Sequence, residues 1–195
     1  MTQTQTPRVN GMRVAILLGD NFEQVEMTEP RKALDAAGAR TTLISPVLGQ
    51  IHGVAHDRDL QDTFRVELPL EETHPDDFDA LLLPGGALNA DSMRMLPKVQ
   101  QFLRNIAQTG KPMAVICHAP WLLVSAGLVT GRTLTSYPTL QDDIRNAGGT
   151  WLDIEVVRDG NLVTSRQPSD IPAFNSELLA LFAEYRERAP LRRAA

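Results

Sequence analysis

Short apolar runs recur along the chain, separated by stretches in which apolar residues return every three or four positions. RVAILL (residues 13–18), RTTLIS (40–45), DALLLP (79–84) and MAVI (113–116) have the length and content of strands buried on both faces. Between the first two, TEPRKALDAAG (28–38) carries helix punctuation, with Thr28 as a cap, Pro30 in the first turn and Gly38 at the end. Residues 93–108 suit a helix closed by Gly110, and a further helix after Cys117 runs through Ala126 and stops at Gly127. RTLTSYP (132–138) reads as a strand, LQDDIRNAGG (140–149) as a short helix, and DIEVVRDGNLVTS (153–165) as two strands about an Asp-Gly turn. Residues 171–188 form a terminal helix capped by Asp170. Only residues 46–75 escape the alternation, and they are expected to be an irregular excursion with a hairpin near His52.

Strands alternating with helices predict a mostly parallel sheet with helices on both faces. In such sheets the loops leaving the carboxyl ends of neighbouring strands meet in a crevice. If the strands ending at Leu18, Leu83 and Ile116 lie side by side, their loops bring together Glu23, the pair Gly85 and Gly86, and Cys117.

Composition narrows the possibilities. A chain of 195 residues with 43% apolar and 22% charged residues is that of one globular domain, placed at residues 13–188. A disordered N-terminal tail (1–12) and a basic C-terminal tail (189–195) flank it. The apolar runs fall far short of the roughly 20 residues that span a bilayer. One cysteine cannot form an internal disulfide, and neither C-x-x-C nor H-E-x-x-H spacing is present, so no metal or other cofactor and a reducing cytoplasm are expected. The net charge of -5, with dispersed basic residues, disfavours a dedicated nucleic-acid binder.

The chemistry centres on AVICHAPWLL (114–123), where the single thiol sits at a strand-to-helix turn. Helix N–H groups there favour thiolate over thiol and make Cys117 a nucleophile. Equally, a cysteine in that place can be a small buried hydrophobe. The N–H groups of Gly85, Gly86 and His118 can hold an oxyanion, as at a nucleophile elbow. Glu23 is the carboxylate nearest the first strand end and can exchange a proton with the thiol, whereas Glu26 and Glu29 suit the start of the following helix. His118 serves as a base only if the turn aims both side chains at one substrate. His52, His56 and His74 are expected on the surface.

FEQVE (22–26), LPGG (83–86), ICHAPWLL (116–123), TSYP (135–138) and DDIRNAGG (142–149), in that order, resemble the DJ-1/PfpI superfamily and within it the PfpI-like branch. The resemblance runs from about residue 13 to 182. It implies a three-layer, flavodoxin-like α/β sandwich related to class I glutamine amidotransferases, with Cys117 as nucleophile, Glu23 as its carboxylate partner and Tyr137 as a pocket residue. It implies a homodimer or larger assembly. In the PfpI-like branch the histidine after the cysteine joins a triad with an acid from a neighbouring subunit; in GGALNADSMR the matching position is Ala90 or, one residue on, Asp91. The activity so implied is a stress-protective cysteine enzyme acting on small carbonyls or on glycated protein or nucleotide adducts, of glyoxalase or deglycase type. The alternatives are an ATP-independent intracellular peptidase and a non-enzymatic redox sensor or holdase.

Overall fold

The computed structural model describes residues 7–193, and the side chains of residues 7–188. The elements run β1 (Arg13–Leu17), β2 (Phe22–Glu23), α1 (Gln24–Ala36), β3 (Arg40–Ser45), β4 (Gln50–Ala55), β5 (Asp59–Arg65), β6 (Leu68–Pro69) and β7 (Ala80–Leu83). They continue with α2 (Ala87–Arg94), α3 (Pro97–Gln108), β8 (Met113–Ile116), α4 (Pro120–Ser125), β9 (Thr133–Leu134), α5 (Gln141–Asn146), β10 (Thr150–Trp151), β11 (Val156–Asp159), β12 (Leu162–Ser165) and α6 (Ile171–Arg193). Seven strands form the central sheet in the order β11-β12-β8-β7-β1-β3-β6. Every pair in it is parallel except β11 with β12, which the Asp159-Gly160 turn folds back on itself.

Alternation along each strand divides the core. Val14, Ile16, Leu82, Ala114, Ile116 and Val163 face one way and pack against Met27 and Leu34 of α1 and Phe174, Leu178 and Phe182 of α6. Ala15, Leu17, Leu81, Leu83, Met113 and Val115 face the other way, onto Ala90 and Met93 of α2, Phe102 and Ile106 of α3, and Leu122 and Leu123 of α4. The result is the three-layer α/β sandwich that the alternation implies. Each fully buried Leu or Phe contributes about 1.5–3 kcal/mol of transfer free energy, so both faces of the central strands are strongly specified.

Several boundaries move, each for a local reason. Helix α1 begins at Gln24, four residues before Thr28, because Phe22 and Glu23 are held extended by pairing with Gly53 and Val54 of β4. Pro30 therefore lies inside the helix rather than in its first turn. The expected helix over 93–108 is two helices, since Leu96 before Pro97 is extended (φ -85°, ψ 116°), as a residue before proline prefers. In RTLTSYP only Thr133 and Leu134 pair, with β10, in a small separate sheet. The excursion after residue 46 contains an antiparallel hairpin of β4 and β5, with His52 in its first strand and a turn at His56 and Asp57, both at positive φ. Residues 7–12, expected as part of a loose tail, pack instead: Val9 and Met12 are buried, and the Val9 N–H donates to the Ala37 carbonyl. Residues 1–6 of that tail, and 194–195 at the other end, lie outside the described residues. Helix α6 continues through Arg193, into the expected basic tail. Asp170 immediately precedes it, and the Asp170 carboxylate accepts hydrogen bonds from Arg166 and Ser169. Among the described residues no helix is long and apolar enough to cross a membrane.

Candidate active site

Strands β8, β7 and β1 are neighbours in the sheet, so the loops after Ile116, Leu83 and Leu17 do meet at one edge. Cys117 follows β8 directly and has φ 64°, a left-handed conformation that costs a non-glycine residue about 1–3 kcal/mol. Two backbone bonds hold it there. The Cys117 N–H donates to the Ser165 carbonyl (3.0 Å), and the Cys117 carbonyl accepts the Tyr137 N–H (2.8 Å). This strained turn leads through His118 and Ala119 into α4, the strand–elbow–helix arrangement of an activated nucleophile.

The diglycine is pressed against the elbow. A Cβ on Gly85 would stand 2.6 Å from both the Cys117 Cβ and Glu26 Oε2, so only glycine fits. Gly86 has φ 94°, and its N–H acts on the Cys117 sulfur, lowering the thiol's pKa as a donor aimed at it does. Glu26, in the first turn of α1, is fully buried. Its Oε2 accepts the Gly85 N–H (2.9 Å), the thiol of Cys117 engages the same carboxyl, and Oε1 is left with no nitrogen or oxygen donor. A buried carboxyl with an orphan oxygen is best satisfied by carrying its own proton.

The local electrostatics follow from that burial. Loss of solvent pushes Glu26 up to about 8, against the bonds from Cys117 and Gly85 that pull it down. Burial, and next the Glu26 charge, push the Cys117 thiol well above its ordinary value, while the Gly86 N–H pulls it down. Burial thus works against the depression expected of the thiol, and with both groups raised the resting pair at neutral pH is a thiol beside a carboxylic acid. His118 is buried, which lowers its pKa and leaves a neutral imidazole.

The turn does aim two adjacent side chains at one spot. Positive φ at Cys117 swings its sulfur to 3.2 Å from His118 Nδ1. The imidazole is held by ring stacking on Tyr137 (centroids 4.6 Å apart, planes 25° apart) and by a tilted contact with Trp121 at 5.6 Å. A neutral ring nitrogen at that distance can accept the thiol proton.

Glu23 does not take the place expected of it. As the extended residue before α1 it turns its carboxylate to the β4–β5 turn, where Oε2 accepts the Asp57 N–H (3.3 Å). Glu26, three residues on and one helical turn deeper, is the carboxyl at the sulfur. Glu26, Pro30 and Leu34 form a buried stripe at i, i+4, i+8, a helical spacing that marks the inward face once the helix start is known. Asp91 is exposed on α2 and Ala90 is buried in the core, so within this chain neither brings a carboxyl to His118. Asp57, which no sequence signal singles out, lies close enough for its charge to raise His118, and its Oδ1 accepts the Ala87 N–H at the start of α2 (2.6 Å). Among the described residues, no three His, Cys, Asp or Glu side chains gather at metal-binding spacing.

A family model described as the DJ-1/PfpI family matches residues 12–181. A deglycase of Pyrococcus abyssi is 44% identical over 170 residues, covering 87% of this chain and 99% of its own length. General stress protein 18 of Bacillus subtilis is 39% identical over 173 residues, covering 88% of this chain and 98% of that protein. The crystal structure of Drosophila melanogaster DJ-1beta is similar with a TM-score of 0.79 at 28% identity, over 92% of this chain and 96% of that one.

Proposed function

The chain belongs to the DJ-1/PfpI family, and on that premise we propose that it is a cysteine-dependent enzyme acting on reactive small carbonyls or on the adducts they form with amino groups. The observation that carries this reading is the convergence of a thiol, a buried carboxylic acid and a neutral imidazole on one strained turn. The relative named as a deglycase, 44% identical, supports the substrate class, and the relative named as a general stress protein supports a protective setting.

With methylglyoxal the steps balance as follows. The sulfur bonds to the aldehyde carbon while the thiol proton passes to His118 Nδ1, and the C=O π pair becomes an alkoxide facing the Gly86 side of the site. Return of that proton gives a hemithioacetal. A proton then leaves the former aldehyde carbon while the ketone oxygen gains one, giving an enediol; a proton arrives at the former ketone carbon as the other hydroxyl loses its own, all through the His118 and Glu26 pair, leaving a thioester. Water cleaves the thioester to lactate and the free thiol. The former aldehyde carbon is oxidised by the two electrons that reduce the former ketone carbon, so water is the only other reactant. With a hemiaminal adduct the sulfur displaces the amine at the former aldehyde carbon, the C–N bond breaking as the C–S bond forms and the thiol proton leaving on the amine nitrogen; the resulting hemithioacetal then follows the same proton shift and hydrolysis.

Purified wild type should convert methylglyoxal to lactate, and Cys117→Ala should not. Undiminished turnover by Cys117→Ala, or none by wild type on either free or amine-bound methylglyoxal, overturns the reading. The 3.2 Å contact between Cys117 and His118 favours one other activity, peptide hydrolysis, in which His118 would protonate an amine leaving group. Wild type cleaving an unfolded protein while His118→Ala does not would establish it.

A further inference from the structure

Asn89 lies in the first turn of α2, is buried, and has no place in the chemistry described above. Its side-chain amide is fully committed. Oδ1 accepts the Gly19 N–H (2.7 Å), and Nδ2 donates to the carbonyls of Gly85 (2.9 Å) and Pro84 (3.3 Å). The Gly85 carbonyl receives a second bond from the Glu23 N–H (3.3 Å). One side chain therefore ties the loop after β1 to the loop after β7.

The Gly85 carbonyl and the Gly86 N–H belong to one planar peptide and point in opposite directions. A Gly-Gly peptide has no Cβ on either side to restrain its rotation, so without outside bonds its orientation is weakly determined. We infer that Asn89 is a positioning residue: by holding the Gly85 carbonyl it aims the Gly86 N–H at the Cys117 sulfur and at the oxyanion formed there. This rests on the proposed cysteine chemistry for its catalytic meaning, but the aim of the N–H at the sulfur can be read without any substrate.

The test compares wild type, Asn89→Ala and Asn89→Ser, measuring iodoacetamide alkylation of Cys117 against pH alongside methylglyoxal turnover and thermal melting. Gly85 is four residues before position 89, within reach of a serine hydroxyl that back-bonds along the chain, so Ser keeps a donor and Ala does not. Loss of one well-aimed donor to a charged acceptor should slow alkylation by Asn89→Ala roughly threefold to tenfold and move its profile to higher pH. Asn89→Ser should stay close to wild type. If folded Asn89→Ala has the wild-type profile, or if Ser is displaced as far as Ala, the inference is overturned. Should the Ala chain not fold, Asn89→Leu takes its place, since it keeps the side-chain volume, carries no charge and lacks both donors. An inactive wild type that nonetheless gives the expected alkylation pattern overturns the proposed function and upholds Asn89 as the clamp.

Discussion

Replacing Glu26 by Gln should free the stability of the protein from pH in a window where the wild type depends on it. In the folded chain burial raises Glu26 from 4.5 to about 8, so between those values the folded state holds a proton that the unfolded chain has lost. Stability from this group is complete below about 4.5 and is lost as pH rises through about 8, at roughly 1.4 kcal/mol per pH unit. Over the whole window that is roughly 5 kcal/mol, comparable with the net stability of a typical domain. His118 acts in the opposite sense: its lowered pKa means that stability is lost on acidification through 6.5, the ordinary histidine value, and is complete above it. Cys117 is raised above 9.0 and enters only at higher pH. From pH 6.5 to 8, then, Glu26 acts alone, and the wild type should lose roughly 2 kcal/mol while Glu26→Gln stays flat. Urea unfolding across that range, followed by tryptophan fluorescence, measures both. A wild type as flat as the variant would refute the reasoning, since it would mean that the thiol and carboxyl together hold one proton in the resting state.

Gly85→Ala should destabilise the fold by about 1–3 kcal/mol, because its Cβ meets the Cys117 Cβ and Glu26 Oε2 at 2.6 Å and something in a packed site must shift. A melting temperature equal to wild type would contradict that contact. Asp57→Ala removes the acceptor of the Ala87 N–H at the start of α2 and should cost about 1 kcal/mol. It also withdraws the charge that raises His118, so the imidazole should titrate lower still by NMR; an unmoved His118 would place Asp57 outside electrostatic reach.

The strands of the central sheet were legible because burial on both faces leaves short apolar runs that nothing else in the chain imitates; residues 40–45 and 113–116 form strands with the boundaries those runs suggest. The elbow was legible for the same reason, as Cys117 is simply the residue after such a run. Glu26 does lie at the start of α1 as expected, but its inward direction was hidden because the exact helix start is set by pairing of Phe22 and Glu23 with β4, a contact more than twenty-five residues distant that local punctuation at Thr28 and Pro30 cannot report. Asp57 was hidden by its setting in a hairpin turn, where an aspartate at positive φ is ordinary. The contact between Cys117 and His118 depends on one backbone angle, and sequence carries no signal for that angle beyond the strand-to-helix transition itself.

The Cys117 side chain also belongs to the apolar cluster shared by α1 and α6, with Met27 and Phe174 among its members. A reactive atom built into packing that dense has no spare room behind it. Any bulky or charged group left on the sulfur, by a stalled intermediate or by oxidation, must press on the layer that keeps the molecule folded. Such a group is therefore expected to loosen the fold, and a melting temperature of the modified protein equal to that of the free thiol would refute it.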